Sequence, residues 1–494
     1  MTPRRAHLVF VLALALTVSG CARLFDHYDV GPTGLARADE RLRRMIATAG
    51  DSAALACAAA DDEALPSDPL LARLYAGVLA YHAGSYDRAA ALLDSATLII
   101  DERATPSASR AALSIISTDR VLPYQAGTAE RLLLHYYAAL AWLRAGAPED
   151  AAVEARRMSA LLERQQPEDD AQRRLHGAMR HVAAALFALA GESADADVAW
   201  RNGRALLGDS AAEGLPRPVT DSVDVFLLID RGFVGHRAEQ SISLWLPGDE
   251  VRRLRGDDDG RAGTATLIAS RIAAAADGQH DGFAPLYVPA PPQAQTADAS
   301  SPHAAPEPAS HGTGVGFATG TAPAQPHDED DGAEEDGDHT PYLMRIAWPV
   351  FRDLAPPLGP VRVRVDSVQH APLARASISS AVASDLRQDR TMLVARTVAR
   401  AAAKLALTRG IEDELREKDD AAADLFALVG NLTAAVTEQA DTRSWTLLPG
   451  TIEVARVRVP TGASALHVDA NGRSVRIPLN LQGQPILVEH LSLR

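Results

Sequence analysis

The spacing of apolar residues changes once along this 494-residue chain. From Leu35 to about Leu207, apolar residues recur at i, i+3, i+4 and i+7, which is typical of amphipathic helices. After Pro216 the period falls to about two, and Val223–Ile229 has the composition of a buried strand. The sequence therefore predicts an α+β fold, with helical hairpins first and strands afterwards.

Three helical segments share one pattern of small residues and turn glycines: Leu74–Ala96, His135–Met158 and His181–Gly203. Paired helices approach closely only where small residues face each other, and the turn between them needs a residue that tolerates positive φ. These spacings resemble tetratricopeptide repeats. The predicted packing and turn positions are Gly77, Gly84, Ala89, Ala96, Ala139, Gly146, Ala151 and Gly191.

The turn glycines lie 62 and 45 residues apart, whereas uninterrupted repeats would place them about 34 apart, so extra helices or loops must separate the pairs. The alternative is a generic alanine-rich bundle whose glycines only end helices. Only the repeat interpretation predicts a concave face that can hold a peptide.

The N-terminus has the three parts of an exported precursor. Arg4 and Arg5 precede an apolar run, Leu8–Val18, which is much shorter than the ~20 residues that cross a bilayer as a helix. The run ends in Val18-Ser19-Gly20-Cys21, which resembles the lipobox of bacterial lipoproteins. The resemblance implies a cleaved signal peptide and an acylated Cys21 that attaches the chain to a lipid bilayer. The alternative is an ordinary secretory signal with a chance cysteine.

Residue 22 and the charge balance bear on localisation and partners. In enterobacterial lipoproteins an aspartate after the acylated cysteine retains the protein in the inner membrane. Ala22 stands there in this chain, so we expect the periplasmic side of the outer membrane. Loss of Arg4 and Arg5 moves the formal charge from −15 to −17, which argues against nucleic acid as a partner. The other cysteine, Cys57, is expected to be a buried and inert thiol.

Pro123–Arg157 carries a further resemblance, at Tyr124, Gly127, Glu130, Tyr137, Leu140, Gly146, Glu154, Arg156 and Arg157. It resembles a family of largely uncharacterised tetratricopeptide-containing bacterial envelope lipoproteins. A Gly-rich loop, Arg231–His236, and the segment Arg443-x-Trp445-x-x-Leu448-Pro449 continue the resemblance. The candidate partner-binding residues are Tyr124, Glu130, Tyr137, Glu154, Arg156 and Arg157; a local ion pair between Glu154 and Arg157 is the alternative use of those two.

The predicted organisation has seven parts. They are a lipoprotein signal peptide (1–20), a lipidated tether (21–38), a helical domain resembling tetratricopeptide repeats (39–212), the start of a β-containing domain (217–288), an insertion rich in Pro, Ala and acid (289–340), a continuation of the mixed α/β domain (341–440) and a C-terminal antiparallel β unit (441–494). The insertion has almost no large apolar residue and is expected to be disordered. Lys404, one of only two lysines, is expected to be a surface cation.

The sequence contains no His-Glu-x-x-His zinc helix, Gly-x-Ser-x-Gly elbow or Walker loop. We therefore expect no catalytic residues, no metal and no cofactor, and a noncatalytic protein-interaction scaffold in cell-envelope assembly. The family resemblance implies an envelope protein as its partner. Two alternatives stay open: a peptidoglycan-modifying enzyme, and a lipoprotein component of a secretion or surface-polymer export machine.

Overall fold

The structure, a computed structural model, describes residues 35–60, 64–103, 119–208, 215–216, 221–255, 286–288, 342–366, 368–417, 438–470, 472–481 and 485–493. They divide into two compact units, one drawn from residues 1–241 and 345–494 and the other from residues 242–344. The predicted α+β class is confirmed, with ten α-helices and eleven strands among these residues.

The helices lie mostly in the first half of the chain. They are α1 (Arg37–Ala49), α2 (Asp51–Ala60), α3 (Pro69–His82), α4 (Tyr86–Arg103), α5 (Thr128–Arg144), α6 (Pro148–Arg164), α7 (Asp170–Leu189), α8 (Ser193–Leu206), α9 (Gly248–Arg255) and α10 (Ile378–Arg416). Three antiparallel hairpins result: α3 with α4, α5 with α6, and α7 with α8. No helix in the described part of the chain combines the length and apolar character that a bilayer span requires.

All three hairpin turns are closed in the same way. Gly84, Gly146 and Gly191 have φ values of +81°, +83° and +81°. The residue after each glycine donates its N–H to the carbonyl five positions earlier, at 2.8, 2.9 and 2.8 Å. This is the Schellman geometry, in which a left-handed residue satisfies the last carbonyls of a helix. The predicted turn positions therefore lie where the sequence pattern placed them.

The predicted small residues lie between helices. A Cβ on Gly77 would be 2.7 Å from Leu93 Cδ2, so α3 and α4 touch where glycine stands. Ala89 and Ala96 on α4 and Ala139 and Ala151 in the next hairpin are buried. These positions allow the close helix pairing that their pattern predicts.

The strands are β1 (Ser222–Arg231), β2 (His236–Leu246), β3 (Leu286–Val288), β4 (Tyr342–Arg352), β5 (Val361–Val365), β6 (Val368–His370), β7 (Ala374–Ser377), β8 (Thr451–Pro460), β9 (Ala465–Ala470), β10 (Arg473–Pro478) and β11 (Ile486–Leu493). The central sheet has the order β11-β1-β8-β7 and the outer sheet the order β10-β9-β5-β6. In the central sheet β1 pairs in parallel with β11 and antiparallel with β8. The remaining sheet has the order β3-β2-β4.

Strand β1 is buried on both faces, as its continuous apolar sequence predicts. Phe226 and Leu228 belong to the core that the helices form, whereas Val225 and Leu227 belong to the core between the two sheets. Side chains alternate between the faces of a strand, so one strand contributes to both cores. The helices, central sheet and outer sheet therefore form three successive layers.

The C-terminal strands do not form the separate antiparallel unit that the sequence predicted for 441–494. Strand β8 lies between β1 and β7, and β11 runs parallel to β1. Neither edge of β1 would be hydrogen-bonded without these two strands. The predicted helical domain likewise shares one core with strand residues such as Val454 and Val488.

The other predicted elements have mixed outcomes. The alternating sequence VRVRV predicts a strand at Val361–Val365, and β5 has these bounds. The sequence also predicts a helix from about Ser377 to Leu407, and α10 extends past that end to Arg416. In the second unit, β3 pairs in parallel with Ile242–Leu244 of β2. The predicted disordered insertion (289–340) and the predicted helix 419–437 lie outside the described residues.

Candidate functional site

Three segments that the sequence singled out meet in the folded chain. They are residues 124–130 at the start of α5, the Gly-rich loop and its neighbour at 231–237, and residues 438–450 before β8. We call this meeting point the joint. Most of residues 438–450 are buried although they form neither helix nor strand.

Glu130 is the central acceptor of the joint. Its Oε2 accepts the N–H of Gly127 at 2.9 Å, which caps α5, and its Oε1 accepts the N–H of Trp445 at 3.1 Å. The Tyr124 hydroxyl donates to both carboxylate oxygens at 2.5 Å. Burial, reinforced by the Glu130 charge, raises the pKa of Tyr124 well above its usual value, so the hydroxyl keeps its proton. One carboxylate thus joins the helices to the C-terminal half.

Two arginines lie beside the Tyr124 ring. The guanidinium carbons of Arg237 and Arg443 are each 5.9 Å from its centroid, within cation–π range. Arg443 also forms two hydrogen bonds with Asp441, at 2.8 and 2.7 Å, and donates to the carbonyl of Leu122 at 2.8 Å. The two motifs of the family resemblance, more than 300 residues apart, therefore contact each other.

Asp68 connects the first hairpin to the joint. It caps α3 by accepting the N–H of Leu70 at 2.9 Å, and it accepts the N–H of Tyr124 and a guanidinium N–H of Arg103, both at 3.1 Å. Burial pulls the pKa of Asp68 upwards, but these hydrogen bonds outweigh it and hold the pKa below its usual value. Asp68 is therefore ionised at neutral pH.

Residues 438–450 are attached to helices at several points. Glu438 accepts from Arg400 at 2.8 Å and from Lys404 at 2.7 Å, and all three side chains are largely buried. Lys404 is therefore not the surface cation that the sequence suggested, because its ammonium needs the carboxylate of a distant segment. Burial lowers the pKa of Lys404, against the opposing effect of Glu438.

Further along, the Tyr75 hydroxyl on α3 lies 2.8 Å from Thr446 Oγ1 and donates to the Ser444 carbonyl at 3.1 Å. Arg43 on α1 donates to the carbonyls of Thr446 and Val234, at 2.5 and 2.7 Å. Helices α1 and α3 thus hold residues 444–446 of their own chain.

A second buried network surrounds Asp230, which is fully buried at the end of β1. Tyr136 and Tyr137 donate to its two oxygens at 3.0 and 2.6 Å, and His490 Nε2 lies 3.0 Å from Oδ2. The other ring nitrogen of His490 is 3.0 Å from the Tyr81 hydroxyl. Burial and the nearby carboxylate raise the pKa of both tyrosines well above their usual values, so they act as hydrogen-bond donors. The network connects α3 and α5 to β1 and β11.

A cleft of about 900 Å³ opens next to the joint. Its lining includes the Gly-rich loop, residues 353–358, the start of α10 and four residues of the N-terminal part, Leu35, Glu40, Arg43 and Arg44. Arg231 is buried beneath it and pairs with Glu453 at 2.7 Å. The glycines of this region allow close backbone contact, since a Cβ on Gly235 would lie 2.4 Å from the Arg352 carbonyl oxygen. The cleft offers both signs of charge beside apolar walls.

The candidate partner-binding residues fall into two groups. Tyr124, Glu130, Tyr137 and Glu154 are buried and contact their own chain, so the structure does not place them on a surface open to a partner. Glu130, Tyr137 and Glu154 lie on helix faces that the core covers, and Tyr124 lies in the buried loop before α5. Glu154 lies 2.7 Å from His135 Nδ1 and 2.6 Å from Arg157, so the local ion pair is present.

The remaining predicted residues lie at the surface or outside the described chain. Arg156 pairs with Glu192, and Arg157 also lies 3.5 Å from Asp94, with both arginine side chains substantially exposed. Cys57 is half-buried rather than buried. The lipidation site Cys21 and the lipobox residues Val18, Ser19 and Gly20 lie outside the described residues.

Sequence reasoning missed Asp230, His490 and Asp385. Asp230 had a signal, because it is a carboxylate that ends an apolar strand. Asp385 had none: it accepts the N–H of Ala129 at 2.8 Å across 256 residues of sequence and the amide of Gln172 at 3.0 Å.

No family model, curated protein or solved structure matches this chain. Within the described residues, no group of three or more His, Cys, Asp or Glu side chains is placed to hold a metal ion.

Proposed function

We propose that the protein is a lipid-anchored scaffold of the bacterial cell envelope, which holds partner proteins at the periplasmic face of the outer membrane without catalysing a reaction. The observation that carries this proposal is the joint. It joins the helical hairpins to the segment that leads into the central sheet through buried and partly buried hydrogen bonds. A scaffold needs such connections, because it must keep its binding surfaces in a constant relation.

The polar groups best suited to chemistry support the same proposal. The Tyr81 hydroxyl lies 3.0 Å from His490 Nδ1, and His490 Nε2 lies 3.0 Å from Asp230 Oδ2, in the interior, where a large substrate has no access. The spaces open to solvent lie elsewhere. The cleft is lined by Leu35, which follows Cys21 by 14 residues and so stays within roughly 50 Å of the anchor.

Metabolic labelling with a palmitate analogue tests the anchor, and the chain provides its own matched control. It has only two cysteines, Cys21 and Cys57. We expect wild type and Cys57→Ser to take up the label and to fractionate with the outer membrane, whereas Cys21→Ser should do neither. Label on Cys21→Ser would contradict the anchor.

Site-specific photocrosslinking in living cells tests the scaffold. A crosslinking amino acid at Leu354, which is 60% exposed at the cleft, should capture one discrete envelope protein. The same amino acid at Leu98, which is 69% exposed on α4, is the control and should not capture it. Identical products from both positions would show non-specific proximity and would count against the proposal.

A peptidoglycan-modifying enzyme is the second candidate, because Glu40 and Asp353 both line the cleft. Two carboxylates at one cleft are what acid–base cleavage of a glycan needs. Purified cell-wall polymer incubated with the full mature protein tests this. Release of soluble fragments by wild type, but not by Glu40→Gln or Asp353→Asn, would replace the scaffold proposal.

A further inference from the structure

Strand β11 forms one edge of the central sheet and borders an open slot. In the described part of the chain it pairs with β1 alone, on one side. The slot has a volume of about 440 Å³. Pro485–Glu489 form one wall, and the ends of helices α5, α6 and α7 form the other through Leu143, Arg144, Gly146, Pro148, Ala188 and Leu189.

The main-chain groups of β11 point alternately towards β1 and towards this slot. Asp224 donates its N–H to the carbonyl of Pro485 at 3.0 Å, and Gly232 donates to Leu493 at 3.1 Å. Odd-numbered residues of β11 therefore face β1, since pairing directions alternate along a strand. Ile486 and Val488 direct their N–H and C=O groups to the other side, where the described residues supply no hydrogen-bond partner.

The other edges of the central and outer sheets differ from β11. Strand β7 has four residues and β6 has three, and β10 carries Arg473, Arg476 and Pro478. Short length, charge and proline are the usual ways in which proteins block pairing at an edge. Strand β11 has eight residues, ILVEHLSL, with no lysine, arginine or proline. Among the described residues, only the helix ends restrict access to it, and they leave room along Pro485–Glu489.

We propose that this slot binds a short extended segment of a partner protein, which pairs its main chain with β11 and carries a basic residue beside an apolar stretch. The inference rests on the proposed scaffold function and names the kind of partner. Unpaired N–H and C=O groups in a row are satisfied by an added strand. Pro485 and the four strand residues Ile486–Glu489, at about 3.3 Å each, set the length of the bound segment at four to five residues.

The chemistry of the walls specifies the side chains of that segment. Leu143, Ala188 and Leu189 offer apolar contact. The C-termini of α5 and α7, which carry partial negative charge, and the N-terminus of α6, which carries partial positive charge, reach the slot, so two of the three helix ends favour a cation. The positive charge of Arg144 is paired there with Glu489 at 2.9 Å. The chain has a formal charge of −15, which also favours a positively charged partner.

Selection from a phage-displayed library of random octapeptides tests the proposal, with the full mature protein, lipidated and held in nanodiscs, as bait. The enriched peptides should alternate apolar residues and include lysine or arginine. They are then resynthesised with alternate backbone amides N-methylated, which removes main-chain donors and leaves the side chains. We expect N-methylation to weaken binding at least about tenfold, since several hydrogen bonds are lost.

Two slot variants and one control complete the test. Val488→Pro removes an N–H that points into the slot and leaves the hydrogen bonds to β1 in place. Leu189→Arg instead fills the slot and repels a basic peptide, so it serves if Val488→Pro folds poorly. Each should weaken binding at least about tenfold. Arg476→Pro, on the exposed β10 edge, should leave affinity unchanged.

The proposal is overturned if no peptide is enriched, or if affinity survives N-methylation and both slot variants. A concentration-dependent dimer that Val488→Pro dissolves would assign the edge to a second copy of the chain and would also overturn it. If the slot binds peptide but Cys21 takes up no palmitate label, the proposed anchored scaffold is rejected and the proposed peptide site is retained. A labelled protein that binds no peptide would reject the slot alone.

Discussion

The helix hairpins take part in two regions of opposite character. In the joint, the start of α5 places Glu130 where it accepts three donors, one of them the N–H of Trp445 from the C-terminal half. At the slot, the other end of α5 lies beside Ile486 and Val488, whose outward main-chain groups have no hydrogen-bond partner among the described residues. Helix α5 thus begins at a carboxylate that accepts three hydrogen bonds from its own chain. It ends beside main-chain groups that have no hydrogen-bond partner among the described residues.

The difference shows how one chain can separate folding from binding. Leaving a buried donor unsatisfied costs about 1–3 kcal/mol, so the joint is stable only when closed. Main-chain groups at the slot can exchange hydrogen bonds with water and lose little by staying unpaired. Stability should therefore depend on the joint, and partner binding on the slot.

Glu130→Ala should have the largest effect. The substitution removes the acceptor of the Tyr124 hydroxyl and of the N–H groups of Gly127 and Trp445. We therefore expect a loss of about 3–5 kcal/mol in the free energy of unfolding. Urea denaturation measures it. Glu102→Ala, exposed near the end of α4, should change stability little. Similar losses in both variants would mean that the joint is no more critical than the surface.

Asp385 should make stability depend on pH. Burial, with help from Glu130 and Asp389, raises its pKa from 3.8 to about 6, against hydrogen bonds from Ala129 and Gln172. The folded state then binds its proton more tightly than the unfolded state. The contribution of Asp385 to the free energy of unfolding should therefore fall by about 3 kcal/mol as pH rises from about 4 to about 6, and change no further above that range. Asp39, whose pKa burial also raises to about 6, adds a decline of the same sign, whereas His176 and His181, whose pKa values burial lowers to about 4, oppose it.

Asp385→Asn should remove the part of the pH dependence that Asp385 contributes, whereas Asp101→Asn, exposed on α4, should retain it. Denaturation midpoints between pH 4 and pH 7 provide the comparison. An unchanged decline in Asp385→Asn would place its origin outside the α5 cap.

Gly235→Ala tests the close backbone contact beside the joint. Its Cβ would lie 2.4 Å from the carbonyl oxygen of Arg352, which cannot move as a side chain tip can. We expect a loss of about 1–3 kcal/mol in the free energy of unfolding. Gly462→Ala, which would meet nothing within 4 Å, should be neutral or slightly stabilising. Equal thermal midpoints for the two variants would contradict this account.

The smallest effect is expected at the rim of the slot. Arg144 and Glu489 form an ion pair at 2.9 Å with side chains 34% and 16% exposed. Solvent screens such a pair, so a double-mutant cycle with Arg144→Ala and Glu489→Ala should give a coupling below about 1 kcal/mol. A coupling energy as large as the stability loss in Glu130→Ala would show that the slot contributes to stability as much as the joint does.

Local sequence was enough to predict the elements that local physics controls. Gly84, Gly146 and Gly191 could be placed at turns because only the conformational freedom of the residue itself is involved. Alternating apolar residues predicted β5 to the residue, and the change of period predicted the α+β class. Each of these depends on neighbours within a few positions along the chain.

Only the tertiary structure decided which distant segments meet. The parallel pairing of β11 with β1, the Trp445 N–H on Glu130 and the burial of Lys404 beside Glu438 each join residues that no short pattern connects. A residue such as Tyr137 has the same sequence signature whether its hydroxyl faces a partner or Asp230. Burial and pairing are properties of the whole packed chain, because they depend on what else fills the same space.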